Sequence, residues 1–139
     1  MRPLDEALKI LANYYDKLQN VERKKFGDFV AVDTKIRVKG IPKEPGVYQI
    51  FEGEKLIYVG STRRLKDRIH NLFYGNHTLT TKLWKSKSGE ERRFRNLREV
   101  QNFYLNRCTF NFITTNEYEK ALALEGILIM HNPPIYNKV

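Results

Sequence analysis

A chain of 139 residues, 41% hydrophobic and 29% charged, has the size and balance of one globular domain, which argues against a disordered chain. Its 25 lysines and arginines outnumber 16 acidic residues for a net charge of +9, a bias toward polyanions such as nucleic acid that also serves plain solubility. The single cysteine, Cys108, rules out an internal disulfide or a cysteine-rich zinc site, no apolar run reaches membrane-spanning length and the N-terminal residues lack a signal peptide's apolar core, so an intracellular protein without a membrane partner is expected.

Residues 4–19 space Leu4, Leu8, Leu11, Tyr15 and Leu18 by three or four positions, with Asp5 and Glu6 in the first turn, which predicts an amphipathic helix that packs on the domain or on a second copy. β-Branched runs near 29–32 and 35–38 predict a weak hairpin or arm. Residues 1–44 are thus read as a helical extension and connecting arm. From residue 45 onward a denser pattern begins. Pro45 and Gly46 mark a turn, and "VYQIF" (47–51) and "LIYVG" (56–60) read as strands of a hairpin. A three-residue loop at 52–54 would set Tyr48 opposite Tyr58 on one sheet face. A two-residue loop at 53–54 would send the two tyrosines to opposite faces. Beyond Gly60, a helix over 62–74 is predicted with Ser61 or Thr62 as its cap and Gly75 as its end. A short helix over 78–86, an exposed loop at "KSKSGEE", a helix over about 91–104, a strand over 108–114 and a helix over 117–131 with a capping box from Asn116 to Glu119 complete the chain.

Several residues sit poorly in a purely structural account. Glu125 falls among Ala121, Leu124, Leu128 and Ile129 on the apolar side of the last helix, where a carboxylate needs a cationic partner, a metal ion or water. Arg68 flanks the apolar stripe of its helix, and its guanidinium suits either solvent or a phosphodiester. Tyr48 and Tyr58 serve equally as core rings or as phenols that position or deprotonate a water. Arg63, Arg64, Lys66, Lys82, Lys85 and Lys87 join Arg68 as candidate nucleic-acid contacts within basic clusters, and "ERKK" (22–25) forms a further cluster. His70, His77 and His131 have no zinc-site spacing, and no nucleotide-binding glycine loop, HExxH or GxSxG is present.

The ordered series "GVY" (46–48), "YVG" (58–60), Arg68, Glu125 and Asn137 resembles the GIY-YIG nuclease superfamily over residues 45–139. That resemblance implies an α/β fold of the α+β type, a small single domain with a three-stranded antiparallel sheet flanked by helices, here with the N-terminal helical extension added. It implies a divalent-metal-dependent endonuclease acting on DNA, with RNA as a further candidate substrate. It also implies Mg²⁺ or Mn²⁺ at Glu125, Arg68 stabilising the attacked phosphate, Tyr58 or Tyr48 activating water and Asn137 supporting the site. The sequence departs from the family where a histidine or tyrosine commonly lies one turn after the arginine, since that position is Leu72. His77, beyond the helix, is the candidate replacement. Ser61 stands where some repair-type relatives carry lysine. A non-catalytic nucleic-acid-binding module on the same fold is the alternative, and a homodimer is compatible with either.

Overall fold

A computed structural model describes residues 3–84 and 93–137 of the chain. The amphipathic helix α1 spans Pro3–Asn20 and leads to β1 (Lys24–Lys25), a 3₁₀ turn at Phe26–Asp28 and the hairpin β2 (Val30–Val32) and β3 (Ile36–Val38). The strong strands follow as β4 (Gly46–Glu52) and β5 (Lys55–Thr62), then helices α2 (Leu65–Tyr74), α3 (Thr78–Trp84) and α4 (Leu97–Arg107). The chain then forms β6 (Cys108–Thr114), α5 (Tyr118–His131) and a 3₁₀ turn at Ile135–Asn137.

The sheet is antiparallel in the order β1-β6-β4-β5, so the three expected strands carry a fourth, two-residue strand on one edge, and β5 forms the other edge. Alternation along β4 divides the interior between two faces. Tyr48 and Ile50 pack with α2, α3 and α4 on one face, whereas Val47, with Val59 and Ile113, packs with α1 and α5 on the other. The first forty-odd residues are part of both cores, since Leu18 joins the α5 side, and Phe26, Val30, Val38 and Ile41 join the α2 side. Phe26 is fully buried, stacked on Phe110 at 4.3 Å between ring centroids.

Three local expectations are corrected. β5 continues to Thr62 and α2 starts only at Leu65 behind Arg64, so neither Ser61 nor Thr62 caps it; the Thr62 hydroxyl instead accepts the Arg64 N–H in a short turn. Helix α4 starts at Leu97 because the Asn96 side chain accepts the Glu99 N–H and so sets the N-terminus there. The capping box before α5 does not form: Asn116 takes a left-handed conformation with φ 64°, and Glu117 occupies the cap position without a side-chain bond. The "KSKSGEE" loop expectation lies outside the described residues, as do Lys85 and Lys87.

Candidate active site

The turn between β4 and β5 is the two-residue one, with Glu52 paired to Lys55. On its own that register would separate the tyrosines. One residue further along, however, the ladder shifts: Phe51 pairs with Leu56 and Ile50 with Tyr58, leaving Ile57 as an extra residue in a β-bulge. The bulge restores the parity that the turn removes. Tyr58 therefore stands opposite Ile50, on the same face as Tyr48, and the tyrosine rings lie 6.2 Å apart between centroids.

Tyr48 pairs across the ladder with Gly60, and a β-carbon at Gly60 would overlap the hydroxyl end of the Tyr48 ring. At Gly46 a β-carbon would collide with the Ile113 carbonyl and the Leu65 side chain. Both signature glycines are thus spaces occupied by neighbours. The Tyr48 hydroxyl lies 2.6 Å from His77 Nε2, and His77 Nδ1 accepts the Leu79 N–H at 2.9 Å. Burial, together with the Arg68 charge, holds His77 well below the ordinary imidazole range, so the ring is neutral. With Nδ1 accepting, its one N–H is on Nε2 and is donated to the Tyr48 oxygen. His77 therefore does reach the tyrosine pair, from the loop between α2 and α3.

Arg68 projects from α2 and its Nη2 reaches the Thr78 hydroxyl at 3.5 Å. Burial raises the Tyr48 and Tyr58 phenols above their ordinary range, and in both the Arg68 guanidinium pulls the other way. Glu125 comes from α5, on the far side of the sheet, and meets the others at the end of β5. Its Oε2 accepts the Ser61 N–H and its Oε1 the Ser61 hydroxyl, each at 3.0 Å. Half-burial raises the Glu125 carboxyl above its usual range, while the Ser61 bonds and the Arg68 charge oppose that shift. Ser61, a helix-cap candidate by sequence, is thus a residue of β5, held there by the Glu125 carboxylate.

Asn137 completes the β5 edge. Its Oδ1 accepts the Val59 N–H at 2.8 Å and its Nδ2 donates to the Val59 carbonyl at 2.7 Å, so one amide substitutes for a neighbouring strand. Other candidates are more scattered. The exposed Arg63 lies over the Tyr118 ring at 4.2 Å, and the exposed Arg64 pairs with Asp67 at 3.7 Å, both at the joint between β5 and α2. Lys66 is about 200° around α2 from Arg68 by helix geometry and so lies on its other flank. Lys82 donates to the Tyr136 carbonyl at 2.7 Å, securing the C-terminal turn. The Lys24 and Lys25 cluster lies on β1, at the sheet edge opposite β5, so the basic clusters do not form one continuous footprint there. His70 stacks on Tyr74 and His131 meets Tyr15 edge-on; among the described residues no group of three His, Cys, Asp or Glu could enclose a metal ion.

No family model matches the chain. Among curated proteins, the UvrABC system protein C of Parasynechococcus marenigrum (strain WH8102) is 33% identical over 102 residues, 73% of this chain and 13% of that protein. The protein of the same name from Campylobacter jejuni (serotype O:23/36, strain 81-176) is 35% identical over 101 residues, 72% of this chain and 15% of that protein. The chain therefore spans only a small part of the curated relatives it matches. Among solved structures, the GIY-YIG N-terminal endonuclease domain of UvrC from Thermotoga maritima, bound to magnesium as its catalytic divalent cation, is 21% identical, with a TM-score of 0.49 over 70% of this chain and 88% of that one. A match of 102 residues within 139 necessarily includes the stretch from Gly46 to Arg68, where the two glycine-bracketed tyrosines and the arginine stand in order. On that similarity, and on the motif it runs through, the chain belongs to the GIY-YIG superfamily.

Proposed function

We propose that the chain is a divalent-metal-dependent endonuclease that hydrolyses phosphodiester bonds in DNA. One observation supports this reading most: the Arg68 charge acts on Tyr48, Tyr58, His77 and Glu125 together, although these groups come from two strands, a loop and a helix on the far face of the sheet. A guanidinium whose charge reaches two phenols and a carboxylate suits a phosphodiester, whose charge grows as water attacks.

The residues present fit one Mg²⁺ or Mn²⁺ ion. Glu125 offers a single carboxylate already held in place by Ser61, and a hard cation that keeps most of its water needs few protein ligands when phosphate oxygens complete its shell. Bound there, the cation would neutralise phosphate charge and add to Arg68 in favouring an ionised phenol. The chain's own groups then divide the work. Arg68 holds a non-bridging phosphate oxygen. The Tyr48 oxygen accepts from His77, which leaves its own hydrogen to orient a water or a phosphate oxygen. Tyr58, beside Arg68 and Thr78, takes the water's proton as phenolate while the water oxygen bonds to phosphorus; the bond from phosphorus to the 3′-oxygen breaks and that oxygen takes a proton from solvent, giving 5′-phosphate and 3′-hydroxyl ends. Asn137 keeps β5, and with it Tyr58, in position. Arg63, Arg64 and Lys66 are candidates to hold the flanking strand.

Supercoiled plasmid, branched DNA and an RNA hairpin, each incubated with Mg²⁺, with Mn²⁺ or with EDTA, test this directly. DNA should be nicked only with a cation, and Glu125→Ala should lose at least about a hundredfold in rate. Equal cleavage by Glu125→Ala would remove the metal-ligand assignment. Tight binding without cleavage on every substrate would leave a binding module.

A further inference from the structure

We infer that the cleft between the β2–β3 hairpin and helices α2 and α4 binds an unpaired nucleotide of the nucleic-acid strand, at a place separate from the Arg68 site. This rests on the reading that the chain acts on nucleic acid. The cleft has a volume of about 920 Å³, within the range of pockets that take organic ligands. Its rim carries Lys35 from the hairpin turn, His70 and Tyr74 from α2, and Arg98 and Gln101 from α4.

Tyr74 is the feature that core packing leaves unexplained. It is 60% exposed and is the only aromatic among the large hydrophobic side chains exposed in the described residues. The buried stripe of α2 is formed by Leu65, Ile69, Leu72 and Phe73 without it. One turn earlier His70 stacks on the Tyr74 ring, with centroids 5.6 Å apart and planes at 24°. The result is an assembled flat surface at the cleft wall, of the kind on which a splayed base stacks.

The charge of the cleft completes the chemistry. Asp33, the one carboxylate lining it, accepts the Lys35 N–H and pairs with Arg37 at 3.2 Å, so it is already committed. Glu99, next to Arg98, is engaged by the Arg95 N–H at 2.8 Å. Neither the Lys35 ammonium nor the Arg98 guanidinium has an acidic partner among the described residues. Two unneutralised cations beside an aromatic platform match a phosphate and its base. Gln101, fixed by donating its amide nitrogen to the Phe73 carbonyl at 2.7 Å, presents its amide oxygen as an acceptor for a base edge.

The cleft and the Arg68 site share α2. Tyr74 is six residues beyond Arg68, about 9 Å along the axis, and lies toward the other flank of a helix about 10 Å across. A few nucleotides of one strand span that distance. A paired base cannot stack in a concave cleft, so the site should distinguish single-stranded or splayed DNA from duplex.

Fluorescence anisotropy in EDTA, with a labelled single-stranded oligonucleotide and a duplex of the same sequence, tests this apart from cleavage. Tyr74→Ala should weaken single-strand binding about tenfold or more and leave duplex binding unchanged, whereas Tyr74→Phe should bind like the natural chain. Arg98→Ala should lower the slope of log affinity against log salt by about one. An inert Tyr74→Ala, or equal losses on single strand and duplex, would overturn the site. Competition by millimolar free mononucleotide as strong as by the oligonucleotide would also overturn it, because the pocket would then recognise a small molecule. Since cation and cleavage are absent from this measurement, a failed nuclease reading would appear only in the plasmid assay.

Discussion

His77 is buried where neither of its nitrogens welcomes a second proton. Nδ1 faces the Leu79 N–H, Nε2 is bonded to the Tyr48 hydroxyl, the Tyr58 ring lies edge-on, and Arg68 adds positive charge nearby. Its pKa in the folded protein therefore lies well below the ordinary 6.5, burial being the main cause. The unfolded chain binds the proton first as pH falls, so His77 contributes stability that is complete above about pH 6.5 and declines as pH falls toward the depressed folded value. Each unit of depression is equivalent to about 1.4 kcal/mol. Urea unfolding at pH 7.5 and pH 5.5 should show a lower midpoint at the acidic pH, and His77→Gln should flatten that difference. An unchanged pH dependence in the variant would contradict a neutral, buried imidazole. Sequence spacing could not reveal this contact: Leu72 interrupts the family pattern, and His77 returns to Tyr48 through the turn at Gly75, which no helical period describes.

At the level of elements, β5 is both the edge of the sheet and the strand that carries Tyr58, Gly60 and Ser61. An unpaired edge is prone to slip or to recruit another strand, and Asn137 closes this one at Val59 with two hydrogen bonds. Asn137→Ala should cost about 1–3 kcal/mol in unfolding free energy and lower cleavage more than binding, measured by urea titration beside the plasmid and anisotropy assays. Undiminished stability would show that water replaces the amide without loss. The strands themselves were legible because 47–51, 56–60 and 108–114 are rich in aromatic and β-branched residues, and Glu125 was legible as a polar residue on an apolar helical face. The bulge was not legible. Ile57 has the same β-branched character as a regular strand residue, and only the partner strand shows that it is extra. Ser61 was misread for a related reason: a serine after a glycine suits a helix cap and a strand end equally well, and the carboxylate that decides between them is 64 positions away.

For the whole molecule, the segment before residue 45 is bound into the fold that holds the site. Phe26 meets Phe110, Phe73 and Tyr104, and Tyr104 shares a hydrogen bond with Thr80 at 2.8 Å in α3, the helix behind His77. Phe26→Ala should cost about 3–5 kcal/mol, and removing residues 1–44 should abolish the cooperative unfolding transition followed by near-ultraviolet circular dichroism. A truncated chain that unfolds cooperatively would make 45–139 an independent domain. The tyrosine spacing carries a comparable long-range constraint. Ten positions separate Tyr48 from Tyr58, and within them the tight turn and the supernumerary Ile57 each reverse the facing of every later side chain in β5. Two reversals cancel. The hairpin could therefore be lengthened by a pair of residues, or exchange turn and bulge together for a three-residue loop, without moving a phenol off the face that meets His77 and Arg68, whereas a lone insertion or deletion would leave the same amino acids with their chemistry pointed at the wrong core.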